Sequence, residues 1–436
     1  MSFPHYPKYK PSGVEWLGDV PAHWDVKRIG YYFNERREKV SDKDYPALSV
    51  TKNGIVPQLD TAAKSDDGDN RKKVCKGDFV INSRSDRKGS AGASDLDGSV
   101  SLICTVLRPQ EHIHTPFIHH LLRCQPFQEE FYRYGKGIVA DLWSTNYSEM
   151  RNILLGMPQL DEQTCIATFL DRETGKIDEL VAEQRWLMEL LKEKRQAVIS
   201  HAVTRGLDSR APTKPSGIEW LGDVPAHWRV TPIKYVARVG NGSTPSREVP
   251  EYWDESGFPW LNSSVVNQSI VTEAEGFVTE RALKECHLPI IVPPAVLVGI
   301  TGQGKTRGMA AMLGMKATIN QHVAYVKPSI AEFDVHYLLR SFEMAYLKLR
   351  RDSEEAGATK GAITCEQIGN LRIPFPPIAE QQVIVAHLDS ELAKFDTLTA
   401  EAQRAIELLQ ERRTSLISAA VTGQIDVRPL LKKEAA

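Results

Sequence analysis

Two stretches of the chain carry a sustained seven-residue pattern of apolar positions. In the first, Ile166, Leu170, Glu173, Ile177, Leu180, Gln184, Leu187, Leu191, Lys194 and Val198 follow a 4-3 spacing, and seven of these ten are apolar. In the second, Ile384, Leu388, Glu391, Phe395, Leu398, Ala402, Ala405, Leu409, Arg412 and Leu416 repeat it. No proline interrupts either run, so each predicts one long helix with a heptad stripe. The spacing assigns helix packing to Ile177, Leu180, Leu187 and Leu191 on the first, and to Phe395, Leu398, Leu409 and Leu416 on the second. A helix over 166–204 is about 60 Å long and needs a partner along its length.

Between these helices the pattern shortens. Residues 47–51, 78–82 and 100–107 read as strands in a first body, and 116–134 has helical spacing. In a second body, 290–300 reads as a buried strand and 333–351 as a helix ending in Lys348, Arg350 and Arg351. Ser12-Gly-Val-Glu15 and Ser216-Gly-Ile-Glu219 fit the capping box, which predicts a short helical turn ending at Gly18 or Gly222.

The chain repeats itself. Residues 11–24, PSGVEWLGDVPAHW, recur at 215–228 with one change, Val14 to Ile218. The 51 residues from Pro158 and from Pro376 align without a gap, with 23 identities. Each unit is therefore a cap, a variable body and a long helix. Trp24 and Trp228, at one repeated position, predict packing anchors. Two joined copies pack most easily about a two-fold axis, which makes the long helices antiparallel. The expected fold is α+β: two globular domains of mixed strands and helices, separated by two long antiparallel helices with an internal pseudo-two-fold repeat. The boundaries read 1–157 for the first domain and its cap, 158–208 for the central helix, 209–375 for the second domain, 376–426 for the C-terminal helix and 427–436 for a tail.

Composition changes this picture little. Hydrophobic content of 42% and charged content of 25% are those of an ordinary globular protein. No 18-residue apolar run and no secretion signal occur, so a cytoplasmic protein without a membrane partner is expected. None of the six cysteines forms a C-x-x-C pair. The net charge of −2 means that any affinity for nucleic acid must come from local clusters.

One such cluster is Arg71–Ser90, with seven basic residues against two acidic ones. A charge run of this kind serves either as a solvated face or as a phosphate- and base-contacting loop. Gly299–Thr306 satisfies the phosphate-loop pattern GxxxxGK[ST] after an apolar strand, which keeps a nucleotide hydrolase open as an alternative. Arg307-Gly308, however, would break the helix that such a loop requires. The pairs His112/His114 and His119/His120 lack a carboxylate or cysteine at ligand spacing, so no metal is expected. No catalytic constellation is evident, which points to a recogniser or a scaffold. A coiled-coil scaffold whose bodies bind protein is the third reading.

The cap SG(V/I)EWLGDVPAHW, the junctions MPQLDEQ and FPPIAEQQ and the long helices after them resemble the DNA specificity subunit of type I restriction–modification enzymes. The resemblance covers essentially the whole chain, in the right order, twice. It implies two target-recognition domains reading an asymmetric bipartite site on double-stranded DNA, with the helices as spacer and docking surface for two methyltransferase subunits. It further implies a chain that is not catalytic by itself and holds no cofactor. S-adenosylmethionine, ATP and Mg²⁺ would sit on methyltransferase and restriction subunits. Base reading would fall to Arg, Lys, Asn and Gln on loops. The candidates are Arg84, Arg87 and Lys88 in the first body, and Asn262, Gln303, Lys305, Arg307 and Lys360 in the second.

Overall fold

The computed structural model describes residues 3–60, 68–137, 143–302, 304–355 and 361–432. Five helices organise it: α1 (Thr115–Leu121), α2 (Gln125–Arg133), α3 (Leu160–Arg205), α4 (Val335–Glu355) and α5 (Ile378–Val421). The two long helices that the heptad spacing predicts are α3 and α5, of 46 and 44 residues. The chain divides into two compact units, 1–185 with 403–436 and 186–402, so the division falls inside both long helices.

In unit 1 the beginning of α3 runs antiparallel to the end of α5 and the turn beyond it. Glu162 faces Arg428 at 3.8 Å, and Asp178 faces Arg413 at 3.3 Å. The body of this unit is a four-stranded antiparallel sheet, ordered Ala91–Ala93, Phe79–Asn82, Cys104–Pro109, Phe33–Glu35. A smaller sheet orders Gly98–Val100, Arg71–Val74 and Lys39–Val40. The run 100–107 is thus not one strand; residues 101–103 turn, and its halves join different sheets. The helical run 116–134 is likewise two helices, with Pro126 in the first turn of α2, where its missing N–H leaves no gap in the ladder.

In unit 2 the end of α3 runs antiparallel to the beginning of α5. Arg195 faces Asp396 at 2.8 Å, and the Tyr337 hydroxyl lies 3.2 Å from the carbonyls of both Val203 and Pro374. The body is a five-stranded sheet, ordered Ala237–Asn241, Val323–Pro328, Ala295–Gly299, Ala310–Leu313, Ile270–Val271, with the last pair parallel. Its strand order matches neither sheet of unit 1. The repeated frame is the same in both: Asp25–Arg28 pairs with Leu154–Met157 in one register, and Arg229–Pro232 pairs with Arg372–Phe375 in the same one.

Trp24 and Trp228 are fully buried, as their repeated position predicts. Each indole removes roughly 200 Å² from water, on the order of 5 kcal/mol before entropy is counted. The junction motifs also act alike. Gln163 donates to the Pro158 carbonyl at 2.9 Å and accepts from His114 N–H at 2.8 Å. Gln381 donates to Pro376 and Glu332 carbonyls and accepts from Asp334 N–H, all at 2.9 Å. The buried glutamine of DEQ or AEQ therefore ties the helix start to its own body.

Two expectations are corrected here. The capping box does not form, although the short helical turn it was expected to open does, with Gly18 and Gly222 N–H bonding the Val14 and Ile218 carbonyls at 3.1 Å. Gly13 and Gly217 adopt φ of 82° and 73°, outside the helical region, and each preceding serine bonds the amide two residues on rather than three. The heptad stripe is half displaced. Ile177, Leu191, Phe395 and Leu416 are buried and Leu409 is half-buried, but Leu180, Leu187 and Leu398 are exposed. Their neighbours Val181, Met188 and Thr399 turn inward instead. The spacing therefore gives the period and most of the enclosed positions, while the opposing surface decides which members stay inside.

Candidate nucleic-acid interface

In the first body, Phe79–Asn82 leads into a tight loop and returns through Ala91–Ala93. Asn82 accepts the Arg84 amide at 3.1 Å, and Ser90 N–H bonds the Arg87 carbonyl at 3.0 Å. A single 3-10 turn, Ser85–Arg87, sits between. This geometry brings Arg84, Arg87 and Lys88 onto one loop. Arg87 is well exposed, and Asp86 lies 3.1 Å from Arg84 and 3.9 Å from Arg87, so one carboxylate serves two guanidiniums. Lys88 lies over the Tyr132 ring at 5.7 Å.

The other half of the basic stretch is used internally. Arg71 is buried and donates to Ser99 Oγ and its carbonyl at 2.9 and 3.1 Å. Lys72 donates to the Cys104 carbonyl at 2.8 Å, and Lys73 pairs with Glu38 at 2.9 Å. Those cations hold the small sheet together rather than offering charge to a ligand.

In the second body Asn262 caps a 3-10 turn, its Oδ1 accepting from Ser264 N–H at 2.7 Å and Ser264 Oγ at 2.6 Å. Arg307 is only 5% exposed; it donates to the Gly361 carbonyl at 3.0 Å and to Glu354 at 2.6 Å. As a DNA contact it is therefore a correction: a buried guanidinium with two internal acceptors staples the 304–308 turn to the segment after α4. Lys305 is exposed beside it. Gln303 and Lys360 lie outside the described residues.

The loop 299–308 is not a phosphate cradle. Gly308 N–H bonds Gly299 O at 2.7 Å and Gly299 N–H bonds Met309 O at 2.9 Å, so these amides close a hairpin between Ala295–Gly299 and Ala310–Leu313. A strand follows where a phosphate loop needs a helix.

Sequence reasoning missed a second group of cations. Lys88 turns toward a cleft of unit 1 that Lys52, Arg123 and Arg413 also line. Only Lys88 belongs to the basic stretch; Lys52, Arg123 and Arg413 come from separate segments, so no local pattern signals them. Among the described residues no group of three or more His, Cys, Asp or Glu side chains could hold a metal ion, and no helix is long and apolar enough to cross a membrane.

The geometry defines a class: a duplicated α+β chain with two dissimilar bodies on one repeated helical frame. Residues 225–408 match the family model for the type I restriction modification DNA specificity domain. The EcoR124I/EcoR124II type I restriction enzyme specificity subunit of Escherichia coli is 26% identical over 291 residues, which is 64% of this chain and 65% of that one. Among solved structures, a chain from a study of complex assembly and conformational transition in a type I restriction–modification system superposes with a TM-score of 0.68 at 17% identity, covering 92% of this chain and 98% of that one. The HsdS subunit from Thermoanaerobacter tengcongensis gives 0.53 at 18% identity, covering 93% and 98%. Over residues 225–408 and, more distantly, along most of its length the chain is similar to the DNA specificity subunits of type I restriction–modification systems.

Proposed function

We propose that each mixed body reads one part of an asymmetric bipartite site on double-stranded DNA, and that the long-helix segments dock two methyltransferase subunits, to which restriction subunits add. The observation that carries this reading is the contrast between frame and bodies. Cap, junction glutamine and strand register repeat, while the sheets of the two bodies differ in number and order of strands. A repeated frame suits two copies of one partner, and unlike bodies suit unlike half-sites.

In the first body, Arg84, Arg87 and Lys88 are the base- and phosphate-reading candidates; in the second, Lys305 and Asn262 remain. Gln303 and Lys360 belong to the same proposal. Arg and Lys read guanine edges and phosphates, and Asn and Gln read adenine. The chain is non-catalytic by itself and works in the cytoplasm, with S-adenosylmethionine, ATP and Mg²⁺ held by partner subunits.

The test is to express this chain with its methyltransferase subunit and map methylated adenines across the genome. A bipartite motif with two different halves is expected, and replacing residues 29–153 by another body should change one half only. A continuous motif, or methyl transfer by the purified chain alone, overturns the proposal.

A further inference from the structure

Unit 1 holds a cluster of positive charge that a reading loop alone does not explain. Lys52 stands at the turn of the hairpin Leu48–Thr51 and Gly54–Pro57, Lys88 in the basic loop, Arg123 between α1 and α2, and Arg413 on α5. Together they line a cleft of about 440 Å³, with Gln128 and Thr414 adding neutral donors. Among the described residues no aspartate or glutamate lines it.

The charges are not balanced from behind. Arg123 donates to His119 Nε2 and to the Lys52 carbonyl, both neutral acceptors. His119 stays neutral because burial, and next the Arg123 charge, pull its pKa down to about 3. Asp178, outside the lining, reaches one nitrogen of Arg413 at 3.3 Å. The neighbouring Asp171 is taken by His120 at 2.7 Å. The Nε–H groups of both Arg123 and Arg413 are buried without an acceptor among the described residues. Like charges held together with unspent donors are the complement of a multivalent oxyanion, since guanidinium forks match phosphate oxygens. The first turn of α2 also opens on the cleft, adding the positive end of a helix.

We propose that this cleft binds a phosphate group, supplied by the DNA backbone or as the free anion. Its backbone form rests on the DNA-reading function above. Because Arg413 belongs to the long helix and the other three to the body, a phosphate here would join the two.

The full-length chain is titrated with inorganic phosphate, followed by ³¹P NMR, and with a 20-base-pair duplex, followed by anisotropy at increasing KCl. The wild type is compared with Lys52→Gln/Arg413→Gln and with Asp178→Asn, which removes the ion pair of Arg413 but keeps the cation. The expected result is phosphate affinity at least five-fold weaker in the double variant and unchanged or tighter in Asp178→Asn. If the backbone is the source, the logarithmic salt slope of duplex binding also falls by about 1 in the double variant. Loss of phosphate binding with an unchanged slope assigns the site to the free anion. Phosphate binding sensitive to the double variant in a chain with no duplex affinity supports the site and removes the DNA function. Duplex affinity in the wild type, with neither measurement changed by the double variant, overturns the site and leaves that function standing. A loss in Asp178→Asn equal to that of the double variant also overturns it, because helix pairing and not the cations would then be responsible.

Discussion

The indole Nε1 of Trp24 lies 3.1 Å from the carboxylate of Glu162. The same carboxylate accepts the Tyr6 hydroxyl at 2.7 Å and meets His23 at 2.7 Å. In the second repeat Trp228 is equally buried, yet among the described residues its Nε1 has no partner, and Glu380 pairs with His227 at 2.8 Å. The difference lies in the strap ahead of the cap. Where unit 1 has Tyr6, the position 204 residues later is Arg210, whose side chain is 94% exposed. Glu162 is consequently enclosed at 7% exposure, against 32% for Glu380.

This asymmetry makes the two glutamates unequal. Glu162→Ala strands buried donors on Trp24 and Tyr6 and should cost unit 1 about 3 kcal/mol. Glu380→Ala should cost unit 2 no more than about 1 kcal/mol. Hydrogen exchange at the amides around Trp24 and Trp228 in each variant reads the two effects separately, and equal losses would refute the difference.

The displaced heptad stripe predicts a contrast between neighbours. Ile177→Ala should destabilise by roughly 2–4 kcal/mol and Phe395→Ala by roughly 3–5, because each leaves a cavity. Leu180→Ala and Leu398→Ala, on the exposed stripe, should stay within about 0.5 kcal/mol of wild type. Urea unfolding of the four variants decides it; comparable costs at 177 and 180 would restore the stripe read from the spacing.

Unit 1 should lose stability in mild acid through His119. Its pKa in the folded chain is pulled down to about 3, first by burial and then by Arg123 and His120. The unfolded chain takes up that proton near pH 6.5, so it binds more protons than the folded chain between those values. Stability is complete above pH 7 and falls as pH drops, by roughly 2 kcal/mol at pH 5. Asp171, held below the ordinary carboxylate range first by its hydrogen bond to His120, adds a further loss only in stronger acid. His119→Gln should flatten the urea midpoint of unit 1 between pH 7 and 5; an unaltered slope would exclude this histidine as the source.

Lys305 and Arg307 should part company on substitution. Lys305→Ala changes an exposed side chain and should leave unfolding unaltered while weakening DNA binding. Arg307→Ala leaves Glu354 and the Gly361 carbonyl without their donor and should cost about 2 kcal/mol in unit 2. Thermal unfolding beside duplex titration distinguishes them, and an unfolding loss at Lys305 equal to that at Arg307 would contradict the assignment.

The sequence by itself determined the duplication, the two long helices, the anchoring of Trp24 and Trp228 and, through cap and junction motifs, the likeness to type I specificity subunits. These are local signals: a motif restates itself, a helix keeps a period, and a large aromatic at a repeated site seeks a cavity. Tertiary structure alone decided which members of the heptad stripe on α3 and α5 stay inside, since Ile177, Leu191, Phe395 and Leu416 are buried while Leu180, Leu187 and Leu398 share their period and are exposed. It also decided that Ser12 and Ser216 bond the amides of Val14 and Ile218 instead of closing a capping box, that Arg307 is spent on Glu354 and Gly361, and that Lys52, Lys88, Arg123 and Arg413 share a cleft. Charges drawn from four distant segments leave no pattern along the chain, because their meeting is a property of the packed fold.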